Sequence, residues 1–162
     1  MYSWGRLMRL TTKGRYAVTA MLDLAIHQDQ GTVALSEVAA RQGLSLSYLE
    51  QLFAQLRRRG LVSSTRGPGG GYALARMPHQ ISVAQVIDAI DENIDATLCR
   101  GSKDCSAHSA CLTHYLWADL SDHIRRFLAD ITLANLVDQP HVQEVAMRQD
   151  KRQEVFFVHS VS

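Results

Sequence analysis

From about residue 12 to residue 137 the apolar positions recur mostly at helical steps. Tyr16, Ala17, Ala20, Met21, Leu24 and Ala25 follow one another at three- and four-residue intervals. This predicts an amphipathic helix opening at Thr11 or Thr12 and running to about His27. A polar turn around Gly31 separates it from a second helix, from about Ser36 to Gln42, and a third from about Leu46 to Arg59. Small Ala39, Gly43 four residues later and Leu49 six beyond that have the spacing of a helix-turn-helix, with Gly43 free to adopt the positive φ of a sharp turn. In the third helix Leu49, Leu52, Phe53 and Leu56 are expected inward, and Tyr48, Gln51, Gln55 and Arg58 outward. Ser45 or Ser47 can cap it, and Ser47 with Glu50 would form a capping box.

After Gly60 the period changes to that of strands. Leu61 to Thr65, the turn Arg66-Gly67-Pro68-Gly69-Gly70-Gly71 and the return Tyr72 to Ala75 predict a β-hairpin. The glycine-rich tip is no phosphate-binding P-loop, because the Lys-Ser/Thr pair is missing and a strand follows it. A hairpin directly after a recognition helix is the wing of a winged helix. Ile81 to about Asp91 predicts a fourth helix. From Leu112 to about Ala129 a long helix carries the stripe Leu112, Leu116, Leu120, Ile124, Phe127 and Leu128, which suits a dimer seam. Thr132 to Val137 predicts a short helix. From Asp138 the pattern dissolves, so the expectation is a mobile tail in which Val155 to Val158 can dock as a strand. The fold class expected is mainly α, a winged helix-turn-helix with a small β-hairpin wing and a long C-terminal dimerisation helix. The expected divisions are an N-terminal extension (1–7), a DNA-binding region (8–80), a metal-binding loop with the dimerisation helix (81–137) and the tail (138–162). Met8 is an alternative start.

Charge sharpens this picture. Residues 8–80 hold nine Lys and Arg against four Asp and Glu, while residues 81–162 hold seven against twelve. A basic first half points to a polyanionic partner for that half alone. Around the third helix, Gln51 can address adenine, Glu50 can accept from cytosine, and Ser45 and Ser47 can meet phosphates or bases, beside outward Tyr48. At the wing, Arg66 can enter a minor groove and the bare backbone of Gly67 and Gly69 can approach phosphates. The expected partner is double-stranded DNA. No run of eighteen apolar residues exists and the first seven residues are too short and polar for a signal peptide, so no membrane is expected and a reducing cytoplasm is the expected setting.

All three cysteines fall in one polar stretch, Cys99, Cys105 and Cys111, with His114 three residues after the last. Three cysteines cannot all pair within one chain, and the intervening residues are poor core material. The set therefore predicts thiolate ligands completed by a histidine. On spacing alone zinc and an iron–sulfur cluster stand level. A cysteine nucleophile with His114 as base lacks an orienting third group and an oxyanion hole, so no enzyme is expected. His108 lies in the same loop and is expected in solvent.

Four motifs in order carry a family resemblance: Leu10 to Ala17 (LTTKGRYA), Leu46 to Phe53 (LSYLEQLF), Arg66 to Tyr72 (RGPGGGY) and the three cysteines with His114. From about Met8 to Val137 the chain resembles the IscR-type winged-helix regulators. The resemblance implies a bacterial homodimer with one [2Fe–2S] cluster per subunit, held by Cys99, Cys105, Cys111 and His114. It implies repression of the cluster-assembly operon by the loaded form and binding of a second class of DNA site by the cluster-free form, with the cluster-assembly machinery as cluster source. It makes Ser47, Tyr48, Glu50 and Gln51 the reading residues, Glu50 the one that decides the accepted site class, and Arg66 the wing arginine. A [2Fe–2S] core of charge +2 with three thiolates and a neutral imidazole leaves the site at −1, and imidazole is the weaker, protonatable donor, so the cluster is expected to be held less firmly than by four thiolates. The readings set against this one are a sibling regulator sensing nitric oxide or iron and a zinc-stabilised DNA-binding module.

Overall fold

The computed structural model describes residues 11–97 and 99–159, with backbone alone for 156–159. The expected extension 1–7, the alternative start at Met8 and Leu10 of the first motif lie outside the described residues. In chain order the elements are α1 (Thr12–His27), α2 (Leu35–Gln42), α3 (Leu46–Arg58), β1 (Val62–Thr65), β2 (Gly71–Leu74), α4 (Val83–Ala89), α5 (His114–Asp130), α6 (Leu133–Val137) and α7 (Pro140–His159), with single 3-10 turns at Gln28–Gln30 and Pro78–Gln80.

The core forms where the inward faces of α1, α3 and α4 meet. Ala17, Ala20, Met21 and Leu24 of α1, Val38 of α2, Leu49, Leu52, Phe53 and Leu56 of α3, and Val86 of α4 are essentially inaccessible to solvent. Each large side chain among them contributes roughly 1.5–3 kcal/mol by leaving water. Ile81, Ile90 and Leu133 belong to the same cluster, so α4 and α6 share the core built by α1, α2 and α3. Ser82 and Thr132 each open a helix with a capping box, to Gln85 and Asn135. Val83 N–H donates to the Ile131 carbonyl and Leu133 N–H to the Ile81 carbonyl, both at 2.9 Å, which ties the two helix starts together.

The turn between α2 and α3 behaves as the spacing predicts. Gly43 has φ of 65°, and Leu44 N–H closes the turn on the Ala39 carbonyl at 3.0 Å. The helix cap is decided in favour of Ser45, whose Oγ accepts from Tyr48 N–H at 3.4 Å. Ser47 therefore lies inside the first turn, and the Ser47–Glu50 capping box is not formed. A second correction concerns Gln55, expected outward: its Oε1 is buried.

β1 and β2 pair antiparallel from Val62 with Leu74 to Thr65 with Gly71. The hairpin is also tied to the body, since Val33 and Tyr72 exchange two backbone hydrogen bonds of 2.8 Å. Gly71 is required by that approach, because a Cβ there would stand 2.5 Å from the Val33 carbonyl oxygen.

The chain after Asp138 needs correcting. Residues 140–159 form α7, not an irregular mobile tail with a docking strand. Pro140 stands at the first helical position, where its missing N–H costs nothing. α7 lies against α1 and α2 through Ala146 and polar side chains: Asp150 accepts from His27 Nε2 at 3.0 Å, and Gln149 pairs with Gln42 at 2.9 Å. An apolar periodicity does not reveal a helix held largely by polar contacts.

Candidate metal centre and nucleic-acid face

The metal-centre loop is irregular backbone between α4 and α5. Arg100, Lys103, Ala107 and His108 all have positive φ. A non-glycine residue in that region costs on the order of 1 kcal/mol. A loop of small polar residues with several such positions gains little from its own packing. What its shape does achieve is convergence. Cys99 Sγ, Cys105 Sγ and a ring nitrogen of His114 lie within 4.8 Å of one another. His114 Nδ1 faces both sulfurs, at 3.4 Å from Cys99 and 3.6 Å from Cys105. His114 is only 3% exposed, so its ring is fixed against the α5 body while the sulfurs sit nearer the surface.

Cys111 stands apart from this compact set. The long helix was expected from Leu112, but α5 starts at His114, and Cys111 lies in the turn before it and shares no helical face with His114. Its N–H donates to Cys105 Sγ at 3.0 Å, and its own sulfur lies 3.9 Å from Thr113 Oγ1. Charge is unevenly shared among the three thiols. Partial burial opposes ionisation of Cys99, but the N–H groups of Lys103 and Gly101, with Cys105 and Thr97, bring its pKa down to about 6. The Cys105 thiol and the Thr113 N–H lower Cys111. Cys105 is raised: the Cys111 N–H favours its thiolate, but its hydrogen-bonding with the other two thiols outweighs that. Two soft sulfurs, a buried imidazole and a third thiol one turn away are a donor set that fits iron or zinc. His108 is exposed in the same loop, outside the set.

The second surface is built by α3, the start of α1 and the hairpin. Ser45, Ser47, Glu50 and Gln51 are exposed. Tyr48 is half-buried, its ring edge-on to Tyr16 at 6.0 Å between centroids. With Thr12, Gly43 and Leu44, the residues Tyr16, Ser45, Ser47, Tyr48 and Gln51 line an open hollow of about 650 Å³. Glu50 is free of any capping duty, which leaves its carboxylate available to a partner. At the hairpin tip Arg66, Gly67 and Gly69 are exposed, and Gly67 and Gly69 take φ of 96° and 72°. Thr32 Oγ1 donates to the Gly69 carbonyl at 2.7 Å. That pin on the tip was missed, because a single threonine after Gly31 carries no sign of a partner 37 residues away.

Comparison with known proteins now has a geometry to attach to. The family model described as Rrf2, an iron-dependent transcriptional regulator, matches residues 10–139. The chain belongs to the Rrf2 family. Its members are transcriptional regulators rather than enzymes. A relative from Pectobacterium carotovorum, the HTH-type transcriptional regulator IscR, is 58% identical over 143 residues, covering 88% of this chain and 87% of that protein. Among solved structures, T. potens IscR is 40% identical, with a TM-score of 0.67 over 80% of this chain and 86% of the other. The global cysteine regulator CymR of B. subtilis is 32% identical with a TM-score of 0.70, covering 81% and 97%. The Rrf2 fold is thus a winged helix in which α2 and α3 form the helix-turn-helix and β1 and β2 the wing. No helix among the described residues is long and apolar enough to cross a membrane.

Proposed function

We propose that this Rrf2-family chain is a cytoplasmic, homodimeric regulator that reads double-stranded DNA according to iron–sulfur cluster status. The observation that carries this reading is the convergence of Cys99, Cys105 and His114 beside Cys111, in a chain whose relatives are named IscR. These four residues would hold one [2Fe–2S] cluster per subunit, supplied by the cluster-assembly machinery. When bound, the cluster would supply a redox-labile centre, and the four ligands drawn onto it would hold the 99–114 loop in one arrangement.

The chain's own residues do the rest. Cys99, ionised near neutral pH, offers a ready thiolate. His114 is the one imidazole in the set and a weaker donor to iron than a thiolate, which lets the site empty when cluster supply falls. Ser45, Ser47, Tyr48, Glu50 and Gln51 read one groove, while Arg66 with the Gly67 and Gly69 backbone holds the neighbouring phosphates and minor groove. Glu50, exposed and uncommitted, accepts from cytosine or is excluded at other bases, so it decides which class of site is accepted. The loaded form represses the cluster-assembly operon, and the cluster-free form occupies a second class of site. Leu116 and Phe127, about 60% exposed on α5, support a dimer seam.

Protein purified without air is expected to be reddish brown, to contain iron and sulfide in equal amounts and to bleach on oxidation. Cys99→Ala and His114→Ala are expected to abolish the colour while leaving a folded dimer. Colourless protein with stoichiometric zinc would overturn the cluster in favour of a zinc-stabilised module. Variants that keep the visible spectrum would overturn the ligand assignment.

A further inference from the structure

The wing is held to the body along its stem. Val33 and Tyr72 exchange two backbone hydrogen bonds of 2.8 Å, and the Tyr72 ring stands edge-on to the buried Phe53 of α3, with 5.0 Å between centroids. Near the end of α3, Arg57 Nη1 donates to Ser64 Oγ of β1 at 3.1 Å. Ser64 and Tyr72 face each other in the ladder, so both strands are fixed to the body at one level. Thr65 with Gly71 is the last pair of that ladder. Residues 66–70, which include Arg66, Gly67 and Gly69, lie beyond it and have no strand partner.

The tip is compact within itself. Gly70 N–H donates to the Gly67 carbonyl at 2.9 Å, and Pro68 with the positive-φ Gly69 stands in the middle of that turn, the order that a type II turn requires. Gly70 is packed so closely that a Cβ there would stand 2.3 Å from the Thr65 carbonyl oxygen, 2.8 Å from the Gly67 carbonyl oxygen and 3.0 Å from the Arg66 carbonyl carbon. The Arg66 backbone therefore moves together with Gly67 and Gly70, as one unit. None of its side chains is buried, so packing does not hold that unit in place. Among the described residues one hydrogen bond crosses from it to the body, from Thr32 Oγ1 to the Gly69 carbonyl at 2.7 Å. Thr32 is itself fixed on both sides. Before it, Gly31 takes a φ of 105° and its N–H closes on the Gln28 carbonyl at 3.0 Å. After it, Val33 is buried and paired with Tyr72.

We infer that Thr32 is a positioning residue for DNA binding, whose hydroxyl holds the wing tip where Arg66 enters the minor groove while α3 occupies the major groove. Thr32 acts through the Gly69 carbonyl and not by touching nucleic acid. This rests on the proposed reading of DNA by α3 and the wing, and it adds the residue that sets the distance between the two. A tip free to swing on the end of its ladder must be ordered when Arg66 engages, and that ordering subtracts from affinity. A tip already pinned loses less. One hydrogen bond suffices because the five residues beyond the ladder form a single compact unit, and fixing one carbonyl of that unit fixes Arg66 with it. The same bond is exposed and neutral, so it adds little to the stability of the whole fold.

The test uses full-length protein in one loading state and a duplex that the wild type selects from a random library. Thr32→Val keeps the branched shape and removes the donor, whereas Thr32→Ser keeps the donor. Each is made alone and together with Arg66→Ala, and affinity for the duplex is measured beside ¹⁵N relaxation of the DNA-free protein. Thr32→Val is expected to weaken binding about three- to tenfold, the worth of one hydrogen bond, and to lower the order parameters of the Gly67, Gly69 and Gly70 N–H groups. Thr32→Ser should stay within about twofold of wild type. In the Arg66→Ala background Thr32→Val should change affinity by less than about twofold, because there is no arginine left to place. Unchanged order parameters or wild-type affinity in Thr32→Val overturns the pin. An equal loss with and without Arg66 overturns it too, since a merely structural threonine acts alike in both backgrounds, and so does a Thr32→Ser variant as weak as Thr32→Val. Arg66→Ala that binds as tightly as wild type overturns the proposed wing contact and the pin's purpose with it, whereas a weakened Arg66→Ala beside an unaffected Thr32→Val overturns the pin alone.

Discussion

Raising the pH should loosen α7 from the DNA-binding half through one residue, His27. Both of its ring nitrogens face acceptors: Nδ1 lies 2.7 Å from the Asp23 carbonyl, and Nε2 lies 3.0 Å from Asp150 Oδ1. A neutral imidazole can donate from one nitrogen only, so the full arrangement requires the imidazolium. The Asp23 carboxylate at 3.4 Å adds charge, and burial opposes it; the net effect raises the His27 pKa from 6.5 to about 9. Because the folded-state value is the higher one, the stabilisation is fully present below the unfolded pKa and is lost as pH rises through the folded pKa. Two and a half pKa units correspond to about 3.4 kcal/mol in full, of which about 2.6 kcal/mol remains at pH 7, about 1.4 kcal/mol at pH 8 and almost none at pH 10. Asp150 is nearly half exposed, so solvent screening should roughly halve these figures, to ~1.3 kcal/mol at pH 7. The assay is urea unfolding of wild type and His27→Gln in the same loading state, from pH 6 to pH 10. Taking the difference between the two proteins removes the titration of the thiols and tyrosines they share. That difference should shrink by about 1 kcal/mol or more between pH 7 and pH 10. A difference that is flat across the range would refute the doubly bonded imidazolium and the docking of α7 that depends on it.

How much of this was legible in the sequence varies with the kind of interaction involved. The helix-turn-helix was readable because Ala39, Gly43 and Leu49 solve a steric problem that few other residues solve at that spacing, and Gly43 does adopt positive φ. The wing was readable from its glycines, although the reason for Gly71 was not: it lies against Val33, which is remote in sequence. The metal centre was readable as a set of residue types. Its geometry was not, since a short irregular loop carries no periodicity to show that Cys105 accepts from the Cys111 backbone while Cys111 stands outside the compact set. α7 was invisible because its docking uses His27, Gln42, Gln149 and Asp150, and hydrophobic patterning is blind to polar pairs separated by more than a hundred residues. Asp23 escaped notice because its partners are polar too, although they lie only 18 and 19 residues away. It is a buried acid on the inward face of α1, satisfied by Arg41 at 2.7 Å and Gln42 at 2.7 Å.

Two further outcomes test the fold and the assembly. Gly71→Ala would place a methyl carbon 2.5 Å from the Val33 carbonyl oxygen, so the wing must separate from the body; a loss of about 1–3 kcal/mol in urea unfolding and weaker DNA binding are expected, and wild-type stability would contradict the close approach. The α5 seam is tested by Leu116→Glu with Phe127→Glu, read by sedimentation equilibrium. Leu116 is 59% and Phe127 63% exposed in the single subunit, so glutamate at either position meets water there and costs the isolated chain little. In a twofold interface the same two positions occur twice, and each large apolar side chain taken from that exposure to burial contributes on the order of 1 kcal/mol, so the four together supply several. Replacing them removes that gain and would force carboxylates into a seam that offers them no partner. The double variant should therefore be a monomer with near wild-type α-helix content, because α5 does not need the stripe to hold its place: Ser121 and Arg125 fix it to residues 93–96 from its other face. A variant that remains dimeric would show that the seam lies elsewhere on the molecule, and one that unfolds would show that the stripe packs within the subunit.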